Sequence, residues 1–272
     1  MILAVSIGNT NTALALKQDG QPLRTARYRT GGGEYGMMSE YRMSEYRIME
    51  ELEEFLSGAE GEPVTGAVIS SVNPELTGAF ERAVKDLLGA APLRVSAQMN
   101  MKLDLSCYDT GLIGSDRIAV CEAAVHKYKL PAIVFDFGTA TTINVIDKNG
   151  RFSGGSILPG LITGAKALAG NTAQLPLSDP DMLEKTAAPL IGRDTRECIK
   201  SGVIHGNAAM FDGMTERIQE HTGEARVIVT GGGAEYVLPF CRAAYVYEPE
   251  LLVEGLFFLY NLNLQKINDF LT

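Results

Sequence analysis

The sequence predicts an α/β fold built as two related halves, and three observations carry that prediction. Two apolar runs each turn at a glycine and then present small hydroxyl or amide side chains: Val5-Ser6-Ile7-Gly8-Asn9-Thr10-Asn11 and Phe135-Asp136-Phe137-Gly138-Thr139-Ala140-Thr141-Thr142. Strand-like and helix-like segments alternate through both halves, the pattern of α/β folding. Each half also opens alike, with a strand, a hairpin partner and a third strand. One glycine-rich turn carries little information, since glycine is the default where φ must be positive. The recurrence predicts two domains, 1–130 and 131–272, with both turns closing on one ligand. Backbone N–H groups in such turns form anion-binding concavities, so the ligand predicted is a polyphosphate.

In the first half, Ile2 to Ile7 is a short apolar strand, Thr12 to Lys17 alternates as its partner, and Gln21 to Thr30 supplies a third antiparallel strand. Arg47 to Leu56, rich in Glu and Leu, is a helix. A tandem pentapeptide, Met38-Ser39-Glu40-Tyr41-Arg42 then Met43-Ser44-Glu45-Tyr46-Arg47, precedes it. A period of five suits neither helix nor strand packing, so the repeat lengthens a surface loop or helix start. Thr65 to Ser71 is a buried strand, Pro74 to Leu88 a helix, Leu93 to Ser96 a short strand and Ile118 to Tyr128 a helix, with Pro131 marking the break. The second half repeats the opening with Ala132 to Phe137, Thr141 to Asp147 and Arg151 to Ile157. Helices at Gly160 to Ala169, Asp194 to Gln219 and Leu251 to Gln265 follow, with a strand at Val227 to Thr230 ending in Gly231-Gly232-Gly233.

The chain has 272 residues, 46% of them apolar and 21% charged, which suits a soluble globular protein with one large or two medium cores. A net charge of −9 with no basic run excludes a nucleic-acid grip. Cys107, Cys121, Cys198 and Cys241 lie far apart without metal-ligand spacing and predict buried thiols in a reducing compartment. Met1 to Val5 lacks the charged region of a signal peptide, and no apolar stretch reaches the ~18 residues of a membrane span. A cytoplasmic protein without membrane attachment is predicted.

Several side chains carry chemistry and a plainer alternative together. Asp116 in Gly114-Ser115-Asp116-Arg117 is either a helix N-cap or a general base kept ionised by its arginine neighbour. Asp136 ends a buried strand, where a carboxylate meets metal or water, and is otherwise a turn aspartate bonding its own backbone. Gly8-Asn9 suits a type I′ hairpin turn, which also presents Asn9, Thr10 and Asn11 as donors. Thr141 and Thr142 are phosphate donors or ordinary strand residues. Gly231 to Gly233 permit close backbone approach to an adenine, or cap a helix. His126, His205 and His221 sit in helical stretches as packing or surface residues, and no P-loop motif is present.

Seven ordered segments resemble the type III pantothenate kinases: Gly8-Asn9-Thr10-Asn11, Ser70-Ser71-Val72-Asn73-Pro74, Gly114-Ser115-Asp116-Arg117, Asp136-Phe137-Gly138-Thr139-Ala140-Thr141, Gly154-Gly155-Ser156-Ile157-Leu158-Pro159-Gly160, Thr172-Ala173-Gln174-Leu175-Pro176 and Thr230-Gly231-Gly232. The resemblance implies two ribonuclease H-like domains of the actin, sugar kinase and heat-shock ATPase superfamily, with a nucleotide cleft between them. It implies phosphorylation of pantothenate by ATP, the first step towards coenzyme A, with Mg²⁺ or another divalent metal, a monovalent cation (K⁺ or NH₄⁺), and a homodimer with active sites near the subunit interface. By the same resemblance Asp116 is the base for the pantothenate hydroxyl, and Arg117 binds the pantothenate carboxylate, a pairing that suits a guanidinium. Tyr108, Gly114, Ser115 and Thr172 complete the pantothenate site. Ser6, Gly8, Asn9, Thr10, Asn11, Gly138, Thr139, Gly231 and Gly232 bind ATP, and Asp136 organises the metal.

Two departures from the family pattern stand out. The family carries an aspartate two residues before the first turn glycine, where this chain has Ser6, and Mg²⁺ favours anionic oxygen. The run Tyr108-Asp109-Thr110-Gly111-Leu112-Ile113 lacks the family's Asn-Pro pair. These departures motivate the alternatives of a nucleotide-binding regulator with weak or no kinase activity, or a kinase for another acceptor.

Overall fold

In a computed structural model, which describes residues 1–18, 24–30, 45–59, 62–172 and 188–271 (backbone only for 265–271), the chain forms two compact units. Unit 1 comprises Met1–Leu105, Asp109–His126 and Leu251–Thr272, and unit 2 comprises Ser106–Tyr108 and Lys127–Glu250.

The sheet of unit 1 starts from the predicted hairpin. Strand β1 (Ile2–Ile7) pairs antiparallel with β2 (Asn11–Lys17), and β2 with β3 (Arg24–Arg29). On its other edge β1 pairs parallel with β4 (Gly66–Ser71), which pairs with β5 (Leu93–Arg94), giving the order β3-β2-β1-β4-β5. Alternation decides the faces. Leu3, Val5 and Ile7 point into one core with Ala67 and Ile69, under helices α1 (Glu45–Ser57) and α2 (Pro74–Leu88). Each of the larger side chains contributes about 1.5–3 kcal/mol by leaving water. Local chemistry sets the bounds of α2: Pro74 suits the first turn, where an N–H would lack a partner, and Gly89, at φ 73°, closes the last turn with its N–H on the Lys85 carbonyl at 2.9 Å.

Helix α3 (Ser115–Lys127) starts three residues earlier than its apolar pattern predicts. Its Glu122, fully buried, accepts the backbone N–H groups of Lys102 at 2.9 Å and Leu103 at 2.8 Å and bonds His126 at 3.0 Å. His126 in turn stacks on Phe258 at 4.1 Å.

Unit 2 repeats the sheet. Strands β6 (Ala132–Phe137), β7 (Ala140–Ile146) and β8 (Phe152–Pro159) form the antiparallel run, and β9 (Arg226–Thr230) and β10 (Val246–Tyr247) add in parallel, giving β10-β9-β6-β7-β8. Helices α4 (Leu161–Gly170), α5 (Thr195–Thr222) and α6 (Ala234–Val237) cover its core, where Phe211 lies 4.7 Å from Phe135 between ring centres. The long α5 is capped by Asp194, whose side chain accepts the Glu197 N–H at 2.9 Å, while Glu197 accepts the N–H of Arg193 at 2.7 Å.

The last helix, α7 (Leu251–Leu271), corrects the division predicted at residue 130. It packs on β1 and β4 and belongs to unit 1, although it lies at the end of the second half of the chain. Gly255 makes this possible: a side chain there would overlap the backbone of Ala119, so α7 and α3 meet backbone to backbone. Residues 21–23 of the predicted third strand and 38–44 of the pentapeptide repeat lie outside the described residues. Among the described residues no helix is long and apolar enough to cross a membrane.

Candidate active site

In unit 1 the predicted residues gather at one end of the sheet. The Gly8 N–H bonds the Asn11 carbonyl at 3.0 Å and closes the turn, leaving Asn9, Thr10 and Asn11 exposed as donors. Gly8 is not among the glycines of positive φ, so Gly8-Asn9 is not the central pair of a type I′ turn. Glycine is required there by close approach instead, since a Cβ would lie 2.8 Å from the Asn11 carbonyl oxygen. Ser6 pairs in register with Ser70 of β4, on the sheet face opposite Leu3, Val5 and Ile7. Ser70 reaches Ser115, at the start of α3, with 2.8 Å between hydroxyl oxygens. Ser115 also donates to the Ser71 carbonyl at 3.1 Å, so its single proton is used there and it accepts from Ser70. The Ser71 hydroxyl accepts from Thr77 at 2.8 Å and from the Asn73 N–H at 3.1 Å. These hydroxyls tie the end of β4 to the first turns of α2 and α3, and sequence reasoning missed the part that Ser70, Ser71 and Thr77 play. The signal available was the Ser-Ser pair at the end of a buried strand.

Asp116 is thereby held at the second position of α3, inside the first turn and not in the cap position that the sequence left open. Its Oδ1 accepts the Arg117 N–H at 2.7 Å. Burial pushes its pKa above the ordinary carboxylate value, and the Arg117 N–H and guanidinium pull back only in part. The arginine neighbour therefore does not dominate, contrary to the expectation from sequence. A carboxylate with a raised pKa in the first turn of a helix is a good proton acceptor, because its basicity is closer to the working pH. Arg117 is itself buried.

Unit 2 presents the second turn. Gly138 donates to the Ala140 carbonyl at 3.2 Å, and it and Thr139 are exposed. Like Gly8, Gly138 is absent from the positive-φ glycines. Gly160, at the start of α4, donates to the Thr139 carbonyl at 3.1 Å, and Thr163 donates to the same oxygen at 2.6 Å. A side chain on Gly160 would overlap the Gly138 carbonyl, so the turn and the helix start are locked together. Asp136 lies within β6, paired to Thr142 and Thr230, and not in the turn itself. Gly231 has φ 92°, and a Cβ on it would sit 2.5 Å from both the Asp136 Oδ1 and the Phe137 N. That close approach is to the protein's own β6 strand. Gly232 is exposed, and the Gly233 N–H bonds the Phe137 carbonyl at 2.8 Å.

The remaining predicted residues fall in unit 2 as well. Tyr108 packs edge-on against Phe152 of β8, 4.8 Å between ring centres. Thr172 follows α4 and donates to the Leu168 carbonyl at 2.7 Å, while residues 173–176 of its motif lie outside the described residues. The histidines pack as predicted: His205 bonds the Ala188 carbonyl at 2.9 Å and meets the Phe240 ring. The cysteines do not all comply. Cys121 is buried and its thiol is pushed up strongly by burial, and Cys241 is pushed up to about 12, but Cys107 and Cys198 are exposed. Among the described residues no cluster of three His, Cys, Asp or Glu assembles a metal cage.

A family model for type III pantothenate kinase matches residues 2–217. A type III pantothenate kinase of Rubrobacter xylanophilus is 34% identical, over 98% of this chain and 99% of that protein. Among solved structures, a Campylobacter jejuni protein given as a Baf family transcriptional activator aligns at TM-score 0.57 and 19% identity, covering 97% of this chain and 99% of the other. A Porphyromonas gingivalis protein described as a candidate N-acetylglucosamine kinase aligns at TM-score 0.53 and 13% identity, covering 97% and 99%. At such identities the structural likeness establishes the α/β fold that the chain shares with these proteins, and nothing finer.

Proposed function

Because the chain belongs to the type III pantothenate kinase family, we propose that it transfers the γ-phosphoryl group of ATP to the primary hydroxyl of pantothenate, forming 4′-phosphopantothenate. The observation that carries the reading is Asp116, a half-buried carboxylate of raised pKa held in the first turn of α3 by the Ser70–Ser115 clamp. In the transfer, Asp116 takes the hydroxyl proton as the new O–P bond forms, and the bond from the γ-phosphorus to the β–γ bridging oxygen breaks to release ADP. Arg117 is assigned to the pantothenate carboxylate, with Tyr108 and Thr172 in the same substrate's site. The exposed donors of the two turns, Asn9, Thr10 and Asn11 in unit 1 and Gly138 and Thr139 in unit 2, are assigned to phosphate oxygens.

A divalent metal fits the donor set. Mg²⁺ is commonly held by one or two carboxylates together with substrate phosphates, and Asp136 supplies one such carboxylate near the end of β6, where no protein-only cage exists among the described residues. When bound, the metal neutralises charge on the transferring phosphoryl group. A monovalent cation, a homodimer and a cytoplasmic location are part of the same proposal and rest on family membership.

The test is ATP turnover dependent on pantothenate, with Mg²⁺ and with or without K⁺, the product identified by mass. Phosphopantothenate formation supports the proposal. ATP binding without pantothenate-dependent product, from a folded protein, overturns it.

A further inference from the structure

We propose that Gly114 is a positioning residue for Asp116: the volume left by its missing side chain is the volume into which the Asp116 carboxylate folds. The inference rests on the reading of Asp116 as the base. A Cβ built on Gly114 would overlap Oδ1 of Asp116, while its next neighbours, Cγ of Asp116 at 3.5 Å and Cγ1 of Val72 at 3.6 Å, are at ordinary contact distance. The conflict is therefore with one carboxylate oxygen alone. That oxygen is the one that accepts the Arg117 N–H at 2.7 Å, so it is already fixed in place.

The reason for glycine here is not backbone conformation. Gly114 is not among the glycines of positive φ, so an L side chain is tolerated by the main chain. Nor is the backbone at liberty to shift and make room. The Gly114 carbonyl accepts the Ile118 N–H at 3.2 Å, and the adjoining Ser115 is 9% exposed and clamped by bonds to the Ser70 hydroxyl and the Ser71 carbonyl. Those bonds belong to β4, about 45 residues away in sequence and paired directly with the central strand β1 of the unit 1 sheet. With the main chain held on both sides of Gly114, an added methyl group displaces the carboxylate. Gly114 and Ser115, which the family resemblance places on the substrate, thus act on the orientation of the base.

The displacement has a chemical signature. The Arg117 N–H and guanidinium, followed by the Asp116 N–H, hold the Asp116 pKa down against burial, and the buried Cys121 thiol is pushed up and stays protonated. Rotating Oδ1 away from the Arg117 N–H removes part of that restraint, so the acidic limb of the kcat profile moves to higher pH.

The experiment compares Gly114→Ala, Asp116→Asn, Asp116→Ala and the double variant Gly114→Ala/Asp116→Ala with the wild type, in kcat, KM for ATP, pH profile and Tm. Gly114→Ala is expected to keep KM for ATP and lose about 10- to 100-fold in kcat, since a misplacement of about 1 Å costs on the order of 10²-fold, with the acidic limb displaced upward. A folded Gly114→Ala protein with kcat within about twofold of wild type and an unmoved limb overturns the proposal. If Gly114→Ala is instead too unstable to assay, the double variant decides: removing the carboxylate should abolish the cost of the added methyl in Tm, and an equal cost in both backgrounds overturns the proposal. An active Asp116→Asn protein removes the base reading itself, an outcome distinguishable from any result at position 114.

Discussion

Units 1 and 2 carry the same sheet, β3-β2-β1-β4-β5 in one and β8-β7-β6-β9-β10 in the other, and they differ where chemistry is done. The fifth residue of each six-residue central strand is Ser6 in β1 and Asp136 in β6. The register confirms the equivalence: Ser6 lies between Ala13 and Ser70, and Asp136 between Thr142 and Thr230. The backbone bond from Thr30 to the Thr10 carbonyl, 2.9 Å, has its counterpart from Gly160 to the Thr139 carbonyl, 3.1 Å. Hydrogen-bonded backbone is thus repeated almost atom for atom, while the side chain at the strand end is a neutral hydroxyl in one unit and a carboxylate in the other. A repeated frame fixes where a functional group stands and leaves its charge free to vary.

The largest effect is expected at the group that has no counterpart in the frame, Asp116. Asp116→Asn should lower kcat by about 10²- to 10⁴-fold, the usual contribution of a positioned base. It should not unfold the protein. A carboxylate whose folded pKa is raised contributes stability below its unfolded pKa and loses it as pH rises through the folded value, so at neutral pH the ionised side chain is a cost. Removing the charge should leave Tm equal or higher at pH 7, and a drop of many degrees would contradict this account of its burial. The same shift predicts that the wild-type kcat falls on acidification at a pH above the ordinary aspartate range; a limb at or below that range would show that Asp116 is not the titrating base.

Next in size are the two swaps across the repeat. Asp136→Ser makes unit 2 resemble unit 1 and should cost about 100-fold in rate, the scale of one lost electrostatic contact to the transferring group. Ser6→Asp makes unit 1 resemble unit 2 and should raise the rate, with its dependence on Mg²⁺ concentration shifted to lower values. Steady-state rates across a magnesium titration check both. A lower rate in a folded Ser6→Asp protein would mean that the first turn has been rebuilt around serine and that the asymmetry between the units is itself functional.

Much of this frame was legible in the sequence because its signals are local. Helix α2 was read from Pro74 to Leu88 as observed, since a first-turn proline and the Gly89 end signal bracket it. Strands β1 and β6 stood out as apolar runs cut by glycine. The observed start of α3 lies before the predicted one because its apolar period begins at Ile118, while Asp116 looks like a cap residue until Ser70 is brought to Ser115. That contact joins residues far apart in the chain, and so does the placement of α7 through Gly255 against Ala119. Strand β10, of two residues, and helix α6, of four, are too short to show a period. The glycines at positions 8, 114 and 231 were visible, but their purpose, close approach to a named oxygen or strand, is a property of the folded backbone.

The smallest expected effect separates the two units most cleanly. Thr12 and Thr141 occupy matching positions, opposite Ile7 and Phe137, and both are fully buried. In unit 1 the Thr12 hydroxyl bonds that of Thr30 at 2.9 Å. In unit 2 the residue matching Thr30 is Gly160, which has no side chain to offer, and the Thr141 hydroxyl has no partner among the described residues. Replacing Thr12 by Val leaves a buried hydroxyl on Thr30 unsatisfied and should cost about 1–3 kcal/mol, whereas Thr141→Val removes a polar atom that already lacks a bond and should be neutral or stabilising. Chemical denaturation of the two variants measures the difference. Equal losses would mean that the Thr141 hydroxyl has a partner in solution; the turn of unit 2 would then hold a polar contact, with water or an ion, that the turn of unit 1 makes with its own third strand.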